Sequence, residues 1–294
     1  MSPALQGHAA MLGFAALIAG SFSLGAQAAP HIDPAALNAA RFALAAGLMG
    51  AIAALGARGL RRADFRAPWR FAAMGGLLAV YFVLMFAALQ TAPAVSVAAV
   101  FTLMPALSAL FGWRLLGQRT RAPAAAALAM GAAGALWVIF RGDPARLLAL
   151  EIGRGEALFV LGVAAHALYT PLVRRLNRGE PVLPFTFGVL AAGAAGLCLW
   201  AAPAMAATDW GALPAVVWLC LAYLAVATTA VTFYLLQFAA MRLPAGKVMA
   251  YGYLVPSIVA LYEGLAGRGW PAAPVWLGVA ATMGALAALV ALRD

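Results

Sequence analysis

The sequence predicts an all-α membrane protein of ten transmembrane helices, built as two inverted five-helix repeats. Three observations carry that prediction: the chain is almost wholly apolar, its basic residues alternate from one connection to the next, and two proline-interrupted runs recur about 150 residues apart. Of the 294 residues, 66% are hydrophobic and 10% charged, against about 25% charged in a soluble domain.

Ten apolar runs each approach the roughly 20 residues that a helix needs to cross a bilayer. They lie near residues 9–28, 35–56, 70–89, 93–113, 122–140, 156–174, 184–204, 214–237, 244–265 and 272–292. The longest connection, "RGDPARLLALEIGRGE", is a short polar bridge, so function has to reside within the helices. The first run ends in "LGAQAAP", which imitates a signal-peptidase site, but "MSPALQGH" contains no Lys or Arg where a signal peptide wants positive charge. It is therefore read as a retained helix. Cys198 and Cys220 fall inside apolar runs and imply neither a disulfide nor a metal site.

A formal charge of +10 would point to nucleic acid in a soluble protein. Here the placement of the basic residues accounts for it, and no nucleic-acid partner is expected. Arg58, Arg61, Arg62, Arg66 and Arg70 lie between runs two and three, and Arg114, Arg119 and Arg121 between four and five. Arg174, Arg175 and Arg178 lie between six and seven, Arg242 and Lys247 between eight and nine, and Arg293 in the tail. The opposite side has Arg141, Arg146, Arg154 and Arg268, the first three sharing their loop with Asp143, Glu151 and Glu156. The positive-inside rule then places both termini and the even-numbered connections in the cytoplasm.

Internal repetition follows. The fourth run, "FTLMPALSALFGWRLLGQR", and the ninth, "YGYLVPSIVALYEGLAGRG", each hold a mid-run proline, Pro105 and Pro256, and a glycine near the end, Gly117 and Gly267. The first and sixth runs correspond more loosely, "LIAGSFSLGAQ" against "VAAHALYTPLV". The repeats are placed at residues 1–141 and 156–294, joined by a loop at 142–155. Five helices is an odd number, so the second copy is inverted in the membrane.

Over nearly the full chain this pattern resembles the drug/metabolite transporter superfamily, in its EamA-like branch of ten-helix carriers. The residues that carry the resemblance are "AGSFSLGAQAAPHIDPAALNAARFALAA", similar to the family's opening helix pair with its Arg-Phe, and the fourth run from its proline to "LLGQR". Gln118 stands where the family commonly has Glu, a variant resembling the aromatic amino acid exporters, while the second copy has Gly267 and Arg268 there. His166 stands where the family often has Trp. The resemblance implies a multi-pass transporter of the plasma membrane, the inner membrane of a bacterium, that moves amino acids, drugs or small metabolites, commonly outward. It implies no cofactor, and as partners a small-molecule substrate and the lipid bilayer.

Candidate site residues come from the polar and aromatic groups inside the runs. A proline in a membrane helix bends the axis and frees a carbonyl, tolerated where a neighbour or cavity re-satisfies the backbone. Pro105 and Pro256 are thus expected kinks near the midplane, where inverted-repeat carriers hold substrate; the alternative is a purely structural kink at each. Lys247, at the start of the ninth run, would lie within about 60° of Tyr251 and Tyr262 on an unbroken helix, at 100° per residue. It is either a pathway residue or an interface lysine whose stem snorkels. His166 and Tyr169 are three apart in run six, Tyr223 and Tyr234 eleven apart in run eight, and Phe101, Met104, Ser108 and Phe111 follow helical spacing in run four, each set sharing a face. With Tyr81 of run three, these residues describe a mostly apolar cavity with a few hydroxyl, amide and imidazole handles, suited to a small uncharged or zwitterionic organic molecule. Arg41, about seven residues and 10 Å into the second run, and Glu263 near the end of the ninth are candidates for an outer latch.

Other function classes fare worse. His8, His31 and His166 form no H-E-x-x-H pattern. Asp33, Asp64, Asp143, Asp209 and Asp294 all lie in loops or the tail, away from any buried aspartyl dyad. Charged rings and carbonyl filters of the channel type are not visible. A non-transporting membrane scaffold is compatible with the sequence but less expected than a carrier, and flux in liposomes separates the two. His166 is the central ionisable candidate for proton coupling. The absence of an evident acidic partner favours facilitated transport instead.

Overall fold

The computed structural model describes residues 2–240, 242–243, 248 and 250–292. The spans are α1 (Pro3–Ala28), α2 (Pro34–Leu55), α3 (Trp69–Leu89), α4 (Ala94–Leu116), α5 (Ala122–Ile139), α6 (Arg154–Leu176) and α7 (Val182–Trp200). They continue with α8 (Ala215–Ala225, Val226–Val231 and Thr232–Ala240), α9 (Tyr251–Leu254 and Val255–Leu265) and α10 (Val275–Ala291). Among the described residues eight helices are long and apolar enough to cross a membrane, α10 is a shorter apolar helix, and no strand occurs. This is an all-α, ten-span integral membrane fold.

Helix starts follow local chemistry. Asp33 caps α2 by accepting from the backbone N–H groups of Ala35 and Ala36 at 2.8 and 3.1 Å, with Pro34 in the first turn, where a missing N–H costs nothing. Ser2 accepts from the Leu5 N–H and Pro3 follows, so α1 begins six residues before its apolar run.

The most extensive helix contacts among the described residues follow one rule: exchanging each helix with the one five places along maps them onto one another. α2 packs on α7 and α5 on α10, each pair being its own image. The contact of α3 with α6 is matched by α8 with α1, α4 with α6 by α9 with α1, α3 with α7 by α8 with α2, and α4 with α5 by α9 with α10. A two-fold axis lying in the membrane plane, relating inverted repeats, produces that pattern. Most of these contacts cross between repeats, so the two halves interlock.

Between helices in lipid, close packing replaces the hydrophobic drive, and small residues set the approach. On the α5–α10 crossing Gly134 faces Gly278: a Cβ on Gly278 would stand 2.6 Å from the Gly134 carbonyl oxygen, and one on Gly134 2.7 Å from that of Gly278. Backbone cannot yield as a side chain does. Gly278→Ala is therefore expected to destabilise by about 1–3 kcal/mol, read as a lower melting midpoint in detergent. Gly47→Ala, with nothing within 4 Å of its added methyl, should leave the midpoint unchanged or raised.

The interruptions differ from those expected. The fourth run is broken, rather than bent at Pro105: its first segment ends at Phe101, Thr102 and Leu103 form the break, and Pro105 sits in the first turn of Met104–Leu116. The proline ring would collide with the Phe101 carbonyl in a continuous helix, so the chain restarts ahead of it. The ninth run repeats the device, a 3-10 turn at Tyr251–Leu254 preceding Val255–Leu265 with Pro256 in its first turn. Thus the helical spacing assumed across Phe101–Phe111 and Lys247–Tyr262 does not run through either break. The segment Met104–Leu116 closes on Gly117, whose left-handed φ of 66° suits glycine. A third proline, Pro171, lies inside α6 and leaves the Ala167 carbonyl without its helical donor. The Ser108 hydroxyl of α4 donates to that oxygen at 3.3 Å, as membrane helices with internal prolines require.

Candidate functional site

At the middle of the bundle, α3 and α6 bring an aromatic column together. Tyr81 stacks on His166, ring centroids 4.6 Å apart and planes 29° apart, and His166 continues to Tyr169 at 5.7 Å. Tyr81 also meets Phe82 at 4.6 Å and Phe159 at 5.5 Å, and Phe159 leads through Phe22 of α1 to Phe101 of α4. Of the seven candidate aromatic or imidazole residues named above for α3, α4, α6 and α8, four belong to this column, Tyr81, Phe101, His166 and Tyr169; Phe111 and Tyr223 are half-buried against the same apolar core. The expectation that His166 and Tyr169 share a face holds in the geometry.

Beside the column stands a cation. Arg41 is 3% exposed, its guanidinium carbon 3.7 Å above the Phe82 ring and its Nη2 donating to the Thr228 hydroxyl at 3.4 Å. Phe82 and Thr228 lie well inside α3 and α8, so Arg41 is a bundle residue and not a surface one. Thr228 belongs to a π-helical segment, Val226–Val231, and with Thr229 it donates to the Leu224 carbonyl at 2.9 and 3.0 Å. The widened turn sets Thr228 toward α2. One helical turn before Arg41, Asn38 is fully buried, its Nδ2 donating to the carbonyls of Pro34 and Phe82 at 2.8 and 3.3 Å. Both partners are carbonyl oxygens, which fixes the orientation of the amide. An arginine within a membrane helix is costly, up to about 2.5–3.5 kcal/mol at the helix centre on insertion scales, so its retention here asks for a use.

The Arg41–Glu263 latch expected from the sequence is not formed. Glu263 pairs with Arg268 instead, at 2.8 Å through both carboxylate oxygens, and accepts from the Ser23 hydroxyl at 2.5 Å. The reason is sequence distance: Arg268 follows in the same helix end, while Arg41 is drawn to Phe82 and Thr228. The Glu263–Arg268 pair borders a cleft of about 430 Å³, with Arg141 and Trp270 on its wall. On the arginine-rich face a cleft of about 580 Å³ opens between α2 and α7, reaching Arg58 and Tyr234.

The remaining candidates disperse. The Tyr223 hydroxyl donates to the Leu17 carbonyl at 2.7 Å and lies over Gly20, where no larger residue would fit. Tyr234 is 64% exposed; the expected shared face with Tyr223 is lost because each π-helical residue turns the chain less than an α-helical one, so the register slips between them. Tyr251 is hydrogen-bonded to His8 Nδ1 at 2.7 Å and Tyr262 donates to the Ala16 carbonyl at 3.4 Å. Both hydroxyls therefore face α1, but packed on it rather than lining open space. Lys247 lies outside the described residues. Pro256 is buried and Pro105 partly so, each at its helix restart.

A contact the sequence did not suggest ties α3 to the α6–α7 connection. Arg70 is fully buried, its Nη2 donating to Glu180 and to the Arg66 carbonyl at 2.6 Å each, its Nη1 to the Leu176 carbonyl. Of the five arginines between the second and third runs, Arg70 is the one that is buried, the other four being exposed.

The EamA-like transporter family matches residues 5–140 and 153–291, once over each half. The chain belongs to the EamA-like transporter family. A solved crystal structure is similar over 98% of this chain and 96% of its own, at 26% identity and a TM-score of 0.63. No curated protein matches. As an EamA-like transporter, the protein moves small molecules across the membrane in which its helices are embedded, and the buried aromatic column with its neighbouring cation is the candidate place for them. Among the described residues no cluster of three His, Cys, Asp or Glu side chains is arranged to hold a metal.

Proposed function

We propose that this EamA-like transporter is an alternating-access exporter of hydrophobic or aromatic amino acids, set in the plasma membrane with both termini in the cytoplasm. The stacked Tyr81–His166–Tyr169 column supports that reading most. It offers flat apolar faces with hydroxyl and imidazole edges deep in the bundle, which suits a small amphiphile with an aromatic or branched side chain. The breaks ahead of Pro105 and Pro256 supply two symmetry-related joints about which half-helices can re-angle. Uptake of a labelled panel into proteoliposomes tests it: phenylalanine, tryptophan and leucine should move, and cationic drugs and nucleosides should not. Uniform lack of flux would remove the carrier reading, and flux confined to drugs or nucleosides would remove the amino-acid one.

Transport is proposed to be facilitated, with the substrate gradient as its driving force. His166 lies against the rings of Tyr81 and Tyr169, a stacked setting in which an imidazole orients the flat face of a ligand. His166→Gln should alter substrate affinity, while an imposed pH gradient leaves flux unchanged in mutant and wild type alike. Accumulation driven by a pH difference in wild type and abolished in His166→Gln would make His166 the proton site.

The topology carries its own expectation. In a background lacking Cys198 and Cys220, a cysteine in the 58–66 loop should resist impermeant thiol reagents in intact cells, and one beside Asp209 should react. The reverse pattern would invert the assignment of sides.

A further inference from the structure

We infer that Arg41 is the binding residue for the substrate's carboxylate. This rests on the amino-acid carrier reading and goes beyond it, since it names the group by which substrate is selected. Arg41 is 3% exposed, and its Nη1 has no hydrogen-bond partner among the described residues. The groups around it come from three helices. α2 supplies Asn38, whose two amide hydrogens are spent on carbonyls. α3 supplies the Phe82 ring, and α8 the Thr228 hydroxyl. None is an acid, and none of the ion pairs among the described residues includes Arg41.

A guanidinium held this way is oriented but not neutralised. Phe82 covers one face of the plane and Thr228 fixes Nη2, leaving Nη1 with a free donor in a low-dielectric interior. A buried, unpaired cation is costly, and the ligand best able to relieve it is a planar anion accepting two parallel N–H bonds. A carboxylate has that shape. Phe82, which covers the guanidinium, also meets the column, its ring centroid 4.6 Å from that of Tyr81, so a substrate anchored by its carboxylate at Arg41 would turn its apolar side chain toward those rings. Cation and column are thus two ends of one amino-acid site, and a substrate lacking the carboxylate would leave the guanidinium unpaired.

The test is calorimetric binding to the purified full-length protein of two matched pairs, L-phenylalanine with L-phenylalaninamide and L-leucine with L-leucinamide. Wild type should bind each acid about tenfold or more tighter than its amide, as loss of a charge-assisted bond implies. In Arg41→Gln the preference should collapse to within about twofold, while Arg41→Lys, which keeps the charge, retains part of it. Should Arg41→Gln fail to fold, Thr228→Val, which frees Nη2, is expected to weaken the same preference. Equal binding of acid and amide by wild type, an undiminished preference in the variants, or no binding of either acid would each overturn the inference. The two readings fail differently. Arg41-dependent acid binding without flux would spare this site and sink the carrier, whereas flux that ignores both the carboxylate and Arg41 would do the opposite.

Discussion

Arg70→Ala should destabilise the folded protein by about 3–5 kcal/mol, the cost of removing one partner from a buried ion pair. The guanidinium is fully buried and the Glu180 side chain only 8% exposed, so its removal strands a carboxylate and the carbonyls of Arg66 and Leu176 together. Glu180→Gln should cost less, because the amide oxygen still accepts from Arg70. The pair also sets a pH dependence. Burial opposes ionisation of Glu180, but the bonds from Arg70 and from the Arg178 backbone N–H outweigh it and hold the carboxyl below its ordinary range. A depressed folded pKa contributes stability that is fully present above the unfolded value, about 4.3, and is lost as pH falls through the folded one. Melting midpoints measured from pH 7 down to pH 3 should therefore drop in wild type and show less of that drop in Glu180→Gln. By contrast the exposed Arg146–Asp143 pair, 3.6 Å apart, should contribute no more than about 1 kcal/mol. Equal effects at the two sites would mean that the Arg70 pair is not buried as described.

Tyr81→Ala is expected to have the second large effect, on both stability and transport. The ring is 3% exposed and touches Phe82, Phe159 and His166. Truncation leaves a cavity, costing about 3–5 kcal/mol by analogy with other large aromatic deletions, and removes the surface on which His166 stacks. Substrate flux should fall about tenfold or more at subsaturating concentration, as for the loss of one aromatic anchor worth about 1.5 kcal/mol. Tyr81→Phe keeps the ring and should retain stability to within about 1 kcal/mol, so it separates the role of the face from that of the hydroxyl. A Tyr81→Ala protein that unfolds normally late and transports at the wild-type rate would remove Tyr81 from the site.

How far the sequence could be read depended on the range of the interaction. The spans were readable because membrane helices must be about 20 apolar residues long whatever their neighbours, and the repeat because Pro105 and Pro256 sit in matching surroundings. The pairing of His166 with Tyr169 follows from their spacing alone. Where a local irregularity intervenes, spacing misleads: the π-helical segment Val226–Val231 turns Tyr234 away from Tyr223 and has no one-residue signature, while Pro105 marks an interruption near Thr102–Leu103 without telling a bend from a restart. The partners of Arg41, Glu263 and Arg70 were beyond reach for a different reason. Each is a choice among several helices, and sequence gives their depth but not their azimuth. Pro171 could have been found, since a proline within an apolar run demands a donor from a neighbouring helix. That donor, Ser108, was on the page as a polar residue of the fourth run.

The claim that holds the rest together is that a central site is exposed alternately to the two sides. Counterflow tests it most directly. Liposomes containing the purified protein are loaded with unlabelled phenylalanine and diluted into a trace of the labelled amino acid. A carrier returns with outside substrate each time it exports an inside one, so the label should accumulate transiently above its equilibrium level and then decay, in wild type and in Tyr81→Phe but far less in Tyr81→Ala. Label that only rises to equilibrium, at a rate indifferent to the internal load, would show an open pore, and label that does not enter at all would show no phenylalanine carrier; either would contradict the account.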